Sequence, residues 1–267
     1  MQTKPALIHY CELIENTRVT AQWHCLRLRA PKLAVASPGQ FVHLRVGSHT
    51  DPLLRRPISI HHADESSGEI RLLVRPAGAG TEFLVRSKPG TVFDVMGPLG
   101  NGFPHLNENR RTLLVGGGIG MAPLYFLAGQ RRQADLPFEL LIGAASAAEL
   151  PPHDYFCRCG FLPLVATEDG SRGVKGTAID LLEQRLRTGG EAVRLYACGP
   201  PAMLSRVVDL GRSYGLPTHI SLEAHLACAV GACLGCSFPF KKNGQIEYRR
   251  VCRDGPVFAG EEVYFET

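Results

Sequence analysis

The sequence predicts a multidomain β plus α/β protein. It has a six-stranded antiparallel β-barrel first, a doubly wound parallel α/β domain next, and a small cysteine-bearing domain last. Three observations carry the prediction. Short β-rich runs separated by Pro-Gly and Ser-Gly turns fill the N-terminal part. Strands alternating with helices follow, with glycines after a buried strand. Cys228, Cys233, Cys236 and Cys252 then crowd the C-terminal segment.

The β-rich runs lie at 6–13, 20–28, 41–46, 58–61, 70–74 and 92–96, with turn signals at Pro38-Gly39, Ser67-Gly68 and Pro89-Gly90. Short strands at such spacing predict a small barrel, residues 1–108. After Arg111 the pattern changes. An apolar strand at 112–115 runs into glycines, and a helix follows at 123–132. Further strands at 138–143, 162–166, 194–198 and 218–222 alternate with helices at 177–187 and 201–214. That alternation predicts a parallel sheet covered on both faces, residues 109–222. Residues 223–267 hold the cysteine loop and a hairpin signalled by Asn243-Gly244.

With 267 residues, 45% hydrophobic and 20% charged, the chain has an ordinary globular balance and length enough for several cores. A net charge of +4 is too mild to imply nucleic acid. No apolar run approaches membrane-spanning length, and Met1–Tyr10 lacks the apolar core of a signal peptide. Cys11, Cys25, Cys157, Cys159 and Cys198 are scattered, and the Cys-Arg-Cys of 157–159 is too tight for a zinc knuckle, so these are expected to be ordinary thiols, the 157–159 pair in a loop, of a reducing cytoplasm.

The cysteine run Cys-Ala-Val-Gly-Ala-Cys-Leu-Gly-Cys, completed by Cys252, has the C-x4-C-x2-C…C spacing of plant-type [2Fe–2S] ligands. Two irons need four thiolates. A loop of small residues (Ala229, Gly231, Ala232, Gly235) lets backbone N–H groups approach the sulfurs. Zinc and disulfides are the alternatives. Structural zinc prefers two paired knuckles or Cys/His pairs, and here there is one knuckle and no His inside the run.

In the barrel, Arg55-Arg56-Pro57-Ile58-Ser59 opens a strand. A guanidinium fork suits a pyrophosphate, and a Ser hydroxyl suits a flavin ring nitrogen. Alone, Arg-Arg-Pro is more often a solvated strand edge. Gly78-Ala79-Gly80-Thr81 precedes a helical stretch at 82–86, where backbone N–H groups would seat a phosphate; a plain capped turn reads the same. Residues 97–102 are either a cofactor contact or a domain linker. In the second domain, Gly116-Gly117-Gly118-Ile119-Gly120 follows a strand and opens a helix, as dinucleotide loops do, though not with the strict G-x-G-x-x-G fingerprint. Cys198-Gly199-Pro200 ends a strand of the same sheet, where open α/β sheets bind ligands; Cys198 is either beside a nicotinamide or a buried structural thiol. Asp169 offers an acid for ribose hydroxyls, or a simple turn.

Taken together, Arg56-Pro57-Ile58-Ser59, Gly80-Thr81, the 116–123 run and Cys198-Gly199-Pro200 resemble the ferredoxin-reductase superfamily. Leu99-Gly100-Asn101-Gly102-Phe103, Ser221-Leu222-Glu223, Ala232-Cys233-Leu234-Gly235-Cys236 and Cys252-Arg253-Asp254-Gly255-Pro256-Val257-Phe258 are similar to the electron-transfer subunits of class 1B, NAD-dependent dihydroorotate dehydrogenases. The resemblance covers nearly the whole chain. It implies FAD on Arg56, Pro57, Ile58, Ser59, Leu73, Val74, Arg75, Gly80 and Thr81. It implies NAD on Gly117, Gly118, Gly120, Asp169, Cys198 and Gly199, and a [2Fe–2S] cluster on the four cysteines. It also implies a partner subunit with FMN that oxidises dihydroorotate and carries the catalytic base, in a heterotetramer of two copies of each. Electrons would reach NAD through the cluster and FAD, for pyrimidine (UMP) synthesis. Two residues depart from the family habit: Ala79, often Lys, and Ala229, often Gly.

Sibling reductase subunits serving a hydrogenase, sulfide or ferredoxin:NADP system share the barrel, the nucleotide domain and a cysteine tail. A non-catalytic redox sensor is a different class of reading, and the sequence shows no helix-turn-helix or other output module to support it.

Overall fold

The computed structural model describes residues 7–47, 52–104, 111–188 and 194–265. Ala6 and the expected domain boundary at 108/109 lie outside them. Period-two alternation builds the barrel. In β1 (Ile8–Arg18) Cys11 and Leu13 turn inward on either side of the partly exposed Glu12, and in β2 (His24–Arg29) Leu26 and Leu28 turn inward on either side of Arg27. With β3 (Phe41–Leu44), β4 (Arg56–Asp64), β5 (Glu69–Val74) and β6 (Val92–Leu99) they close in the order β1-β2-β5-β4-β3-β6. The expected strand at 20–28 starts only at His24, because the Thr20 hydroxyl accepts the N–H groups of Gln22 and Trp23 and holds a turn there. Helix α1 (Ala79–Arg86) begins three residues earlier than expected, so Gly80 and Thr81 form its first turn.

The second unit contains β7 (Thr112–Gly117), α2 (Met121–Gln133), β8 (Phe138–Ala144), α3 (His153–Cys159), β9 (Leu164–Thr167), β10 (Val174–Lys175), α4 (Ala178–Arg187), β11 (Arg194–Cys198), α5 (Pro201–Ser213) and β12 (Thr218–Ser221). Its central strands read as continuous apolar runs, such as Leu113-Leu114-Val115 and Leu140-Leu141-Ile142, because helices cover both faces. Thr177 and Asp180 start α4 with a reciprocal capping box. Helix α3 was not expected; Cys157 and Cys159 lie on it rather than in a loop.

β13 (Ser237–Lys242) and β14 (Gln245–Arg250) form the expected hairpin, with Asn243 at φ 51° and Gly244 at φ 81°, the signs a two-residue type I′ turn needs. The C-terminal segment does not stand alone. β15 (Val257–Ala259) adds an antiparallel edge to the parallel sheet, whose order is β10-β9-β8-β7-β11-β12-β15. Asn101 N–H donates to Gly255 O at 2.6 Å and its side chain to Asp254 O at 3.0 Å. Residues 97–102 are therefore the end of β6 plus a junction with the tail. One apolar cluster joins Phe41 and Leu99 of the barrel, Phe240, Val251 and Phe258 of the tail, and Leu195 and Ile220 of the sheet.

Candidate cluster, flavin and nucleotide sites

The four cysteines converge on one loop and its neighbour. Cys233 N–H points at Cys228 Sγ (3.4 Å), Gly235 N–H at Cys233 Sγ (3.5 Å) and Cys252 N–H at Cys236 Sγ (3.5 Å). Burial works against the Cys228 thiolate. Backbone N–H groups of Val230, Cys233 and Ala232 outweigh it and bring its pKa down to about 6. Cys252, desolvated beside Cys236, is pushed up to about 12. Among the described residues no three ligating side chains close on one point as a single ion requires. The thiols instead associate as Cys228 with Cys233 and Cys236 with Cys252, which suits two irons with two thiolates each. This donor set, with N–H groups aimed at sulfur, fits the iron–sulfur group.

The loop curls through left-handed residues, Ala229 at φ 57° and Leu234 at φ 60°. At Ala229 the left-handed backbone costs about 1–2 kcal/mol that a Gly would avoid. Arg250 holds the Cys252 segment to the loop. It makes a two-pronged contact with Asp254 (2.9 and 3.0 Å) and donates to Gly231 O at 3.2 Å. Arg249 pairs with Glu247 and Glu262 and lies over the Phe240 ring. These two arginines are engaged within the chain. Cys236 and Cys252 are buried, whereas Cys233 is exposed and Leu234 is 60% exposed, so the site has one edge toward solvent.

A cleft of about 310 Å³ lies beside it. Pro57, Ile58, Ser59, Leu73, Val74 and Arg75 line it, as does Cys198; Val251, next to Cys252, forms part of its wall. Arg56, Gly80 and Thr81 stand apart from that wall, at the start of α1. A Cβ on Gly80 would collide with the Arg56 guanidinium, so glycine is what lets this cation lie on the first turn of the helix. Thr81 pins the turn: its hydroxyl accepts Ala77 N–H at 2.8 Å and donates to Gly78 O at 3.0 Å. A helix N-terminus plus a guanidinium suits a pyrophosphate. Arg56→Ala is expected to weaken FAD binding about ten- to a hundredfold, with Lys restoring only part for want of the fork. FAD titration of the variants checks this, and an unchanged dissociation constant would make Arg56 a surface residue.

A second cleft, of about 670 Å³, is lined by Gly117, Gly118, Gly120 and Gly199. A Cβ on Gly120 would stand 2.5 Å from Cys198 O and 2.7 Å from Gly199 N, so only glycine lets the loop pack on the end of β11. Asp169 does not line this cleft; Glu168 does. The Asp169 carboxylate is turned back onto Ser171, accepting its N–H at 2.9 Å and its hydroxyl at 2.6 Å. Cys198 belongs to the flavin cleft instead, where burial pushes its thiol up and the Glu223 charge adds to that, against a hydrogen bond with Ser221. Arg75, Ile119 and Glu223 line both clefts, which therefore share a wall. Glu223 is raised by desolvation, with the Arg75 charge opposing. Ile119, Ser221, Glu223 and Val251 were not expected as lining residues, although Ser221 ends a strand of the parallel sheet and Glu223 follows within two residues, the usual ligand edge.

Comparison with known proteins agrees with this geometry. Residues 223–264 match the family described as the iron–sulfur cluster binding domain of dihydroorotate dehydrogenase B, and residues 10–103 the oxidoreductase FAD-binding domain. The electron transfer subunit of dihydroorotate dehydrogenase B (NAD(+)) from Desulforamulus reducens is 37% identical over 93% of this chain and 95% of its own. That from Geobacillus kaustophilus is 42% identical over 85% and 86%, and that from Fusobacterium nucleatum 36% over 97% and 99%. Among solved structures, the NADH-dependent reduced ferredoxin-NADP oxidoreductase superposes with a TM-score of 0.83 at 30% identity, covering 96% of this chain and 90% of that one. The ferredoxin reductase of carbazole 1,9a-dioxygenase shares the fold, with a TM-score of 0.71 at 20% identity over 82% and 70%. With relatives of this identity aligned almost end to end, the chain belongs to the family of dihydroorotate dehydrogenase B (NAD(+)) electron transfer subunits.

Proposed function

We propose that this chain carries electrons between an FMN-containing dihydroorotate dehydrogenase subunit and NAD, as part of pyrimidine biosynthesis in the cytoplasm. The observation that carries the reading is adjacency. The cysteine site meets the flavin cleft at Val251-Cys252, and the flavin cleft meets the nucleotide cleft at Arg75, Ile119 and Glu223. A flavin exchanges single electrons and hydride equivalents alike, so it belongs between a one-electron cluster and two-electron NAD.

The chain's own residues bind and orient. Arg56 and the first turn of α1 hold the FAD pyrophosphate, and Ser59, Leu73, Val74 and Arg75 frame the ring. Gly117, Gly118, Gly120 and Gly199 admit the NAD backbone, with Glu168 in the role first given to Asp169. Cys228, Cys233, Cys236 and Cys252 hold the cluster. Among the described residues, Glu223 is the one carboxylate lining the flavin cleft, and no histidine or lysine lines it. Among the described residues no helix is long and apolar enough to cross a membrane.

The partner docks on the exposed edge of the cysteine loop, completing a heterotetramer of two copies of each subunit. Leu234 and Val230 are exposed there, and half-buried Leu226 backs them. Leu234→Glu is expected to weaken association with the FMN subunit at least tenfold and to slow NAD-linked dihydroorotate oxidation, leaving NADH-dependent dye reduction intact. Normal assembly and turnover in that variant would move the docking edge elsewhere. The likeness to the ferredoxin-NADP oxidoreductase supports a second reading, in which reduced ferredoxin replaces the FMN subunit. Co-purification from native extract, followed by NAD reduction assays with dihydroorotate and with reduced ferredoxin, separates the two.

A further inference from the structure

A third cleft, of about 710 Å³, lies away from the cofactor sites and within the size range of small-molecule pockets. β4 and β5 serve both regions. Residues 57–59 and 73–75 border the flavin cleft, whereas His61, His62 and Arg71, farther along the same strands, border this one. The opposite wall is the C-terminal half of α2 together with α3 and Phe161.

Its chemistry is specific. Tyr125, Tyr155 and Phe161 supply aromatic surface, with Tyr125 5.2 Å from Phe161 and 6.1 Å from Tyr155 between ring centroids. The Arg71 and Arg132 side chains line it without a hydrogen bond or ion pair to any described residue, Arg71 meeting the Glu15 charge only at longer range. Arg27, also in the wall, is held by Glu15 and Glu69, and Arg18 donates to the carbonyls of Thr20 and Ala21. The lining carboxylate, Glu15, is thereby taken. Gln130 Oε1 is buried at this cleft with no donor. An unmet buried acceptor costs about 1–3 kcal/mol, so it calls for an N–H group. Aromatic surface, an acceptor in want of a donor and two uncommitted guanidinium groups match a heterocycle bearing an N–H and carrying an anion.

We propose that this cleft binds a nucleoside monophosphate, with its base against Tyr155 and Phe161, a base N–H donating to Gln130 Oε1, and its phosphate on Arg71 and Arg132. The site is connected to the flavin. Ala122 O, at the flavin cleft, accepts from His61 Nδ1 at 3.1 Å, which leaves Nε2 to accept the Tyr155 hydroxyl at 2.6 Å. A ligand resting on Tyr155 thus bears on a residue of the flavin wall through one histidine.

The test is calorimetric titration of the cofactor-loaded chain with uridine 5′-monophosphate, with NAD saturating to fill the nucleotide cleft. One site per chain is expected. Arg71→Ala and Arg132→Ala should each weaken it about ten- to a hundredfold, with FAD content and NADH-dependent dye reduction unchanged. Three results would overturn the proposal. The first is no binding at millimolar nucleotide. The second is undiminished binding in both variants. The third is equal binding of inorganic phosphate alone, which would leave the base without a role.

Discussion

Cys233→Ser is expected to remove the bound iron and the visible iron–sulfur absorbance and to stop NAD-linked dihydroorotate oxidation, while FAD stays bound. Cys233 stands at the exposed rim of the loop, its N–H directed to Cys228 Sγ and its own sulfur met by Gly235 N–H. The smaller oxygen of serine cannot reach as far and, as an alcohol, stays protonated near neutral pH, so one iron loses a thiolate partner. The flavin cleft is lined by neither Cys233 nor its immediate neighbours, which is why FAD survives. Iron analysis, the visible spectrum and NADH-dependent dye reduction give three separate readings. Two irons retained with an unchanged spectrum would refute the ligand assignment.

Gly120→Ala is expected to cost most of the affinity for NAD and leave FAD and the cluster in place. The added methyl meets backbone, the Cys198 carbonyl and the Gly199 N–H, and neither moves without shifting the end of β11. Overpacking of this kind costs about 1–3 kcal/mol, which is about ten- to a hundredfold in binding if it falls on the nucleotide loop. NAD titration and the KM for NADH in dye reduction measure it. Wild-type values for both would show that NAD does not lie on this loop.

Much of the fold was legible because periodicity is local. Alternating Cys11, Leu13, Leu26 and Leu28 announce half-buried strands, and Leu113-Leu114-Val115 announces one buried on both faces. Helix α3 escaped because His-Asp-Tyr-Phe-Cys-Arg-Cys is too short to display a 3.6-residue repeat. β15 escaped because three residues carry no period, and its partner β12 is remote in sequence. The meeting of the four cysteines was legible because three of them sit in one run. The choice between Glu168 and Asp169 was not, since a turn onto Ser171 decides which carboxylate faces the cleft. Nor was Glu262 as a partner of Arg249, because it meets the arginine only after the tail has folded back.

That folded-back tail also orders events in time. Domains emerging from the ribosome fold from the N-terminus onward. The barrel and the parallel strands can form as they emerge, but Asn101 finds Gly255, and β12 finds β15, only once residues 255–259 have followed. Electrical contact among the three sites is thus a late step in the protein's biogenesis. A nascent chain holds the parts of the wire before it holds the connection.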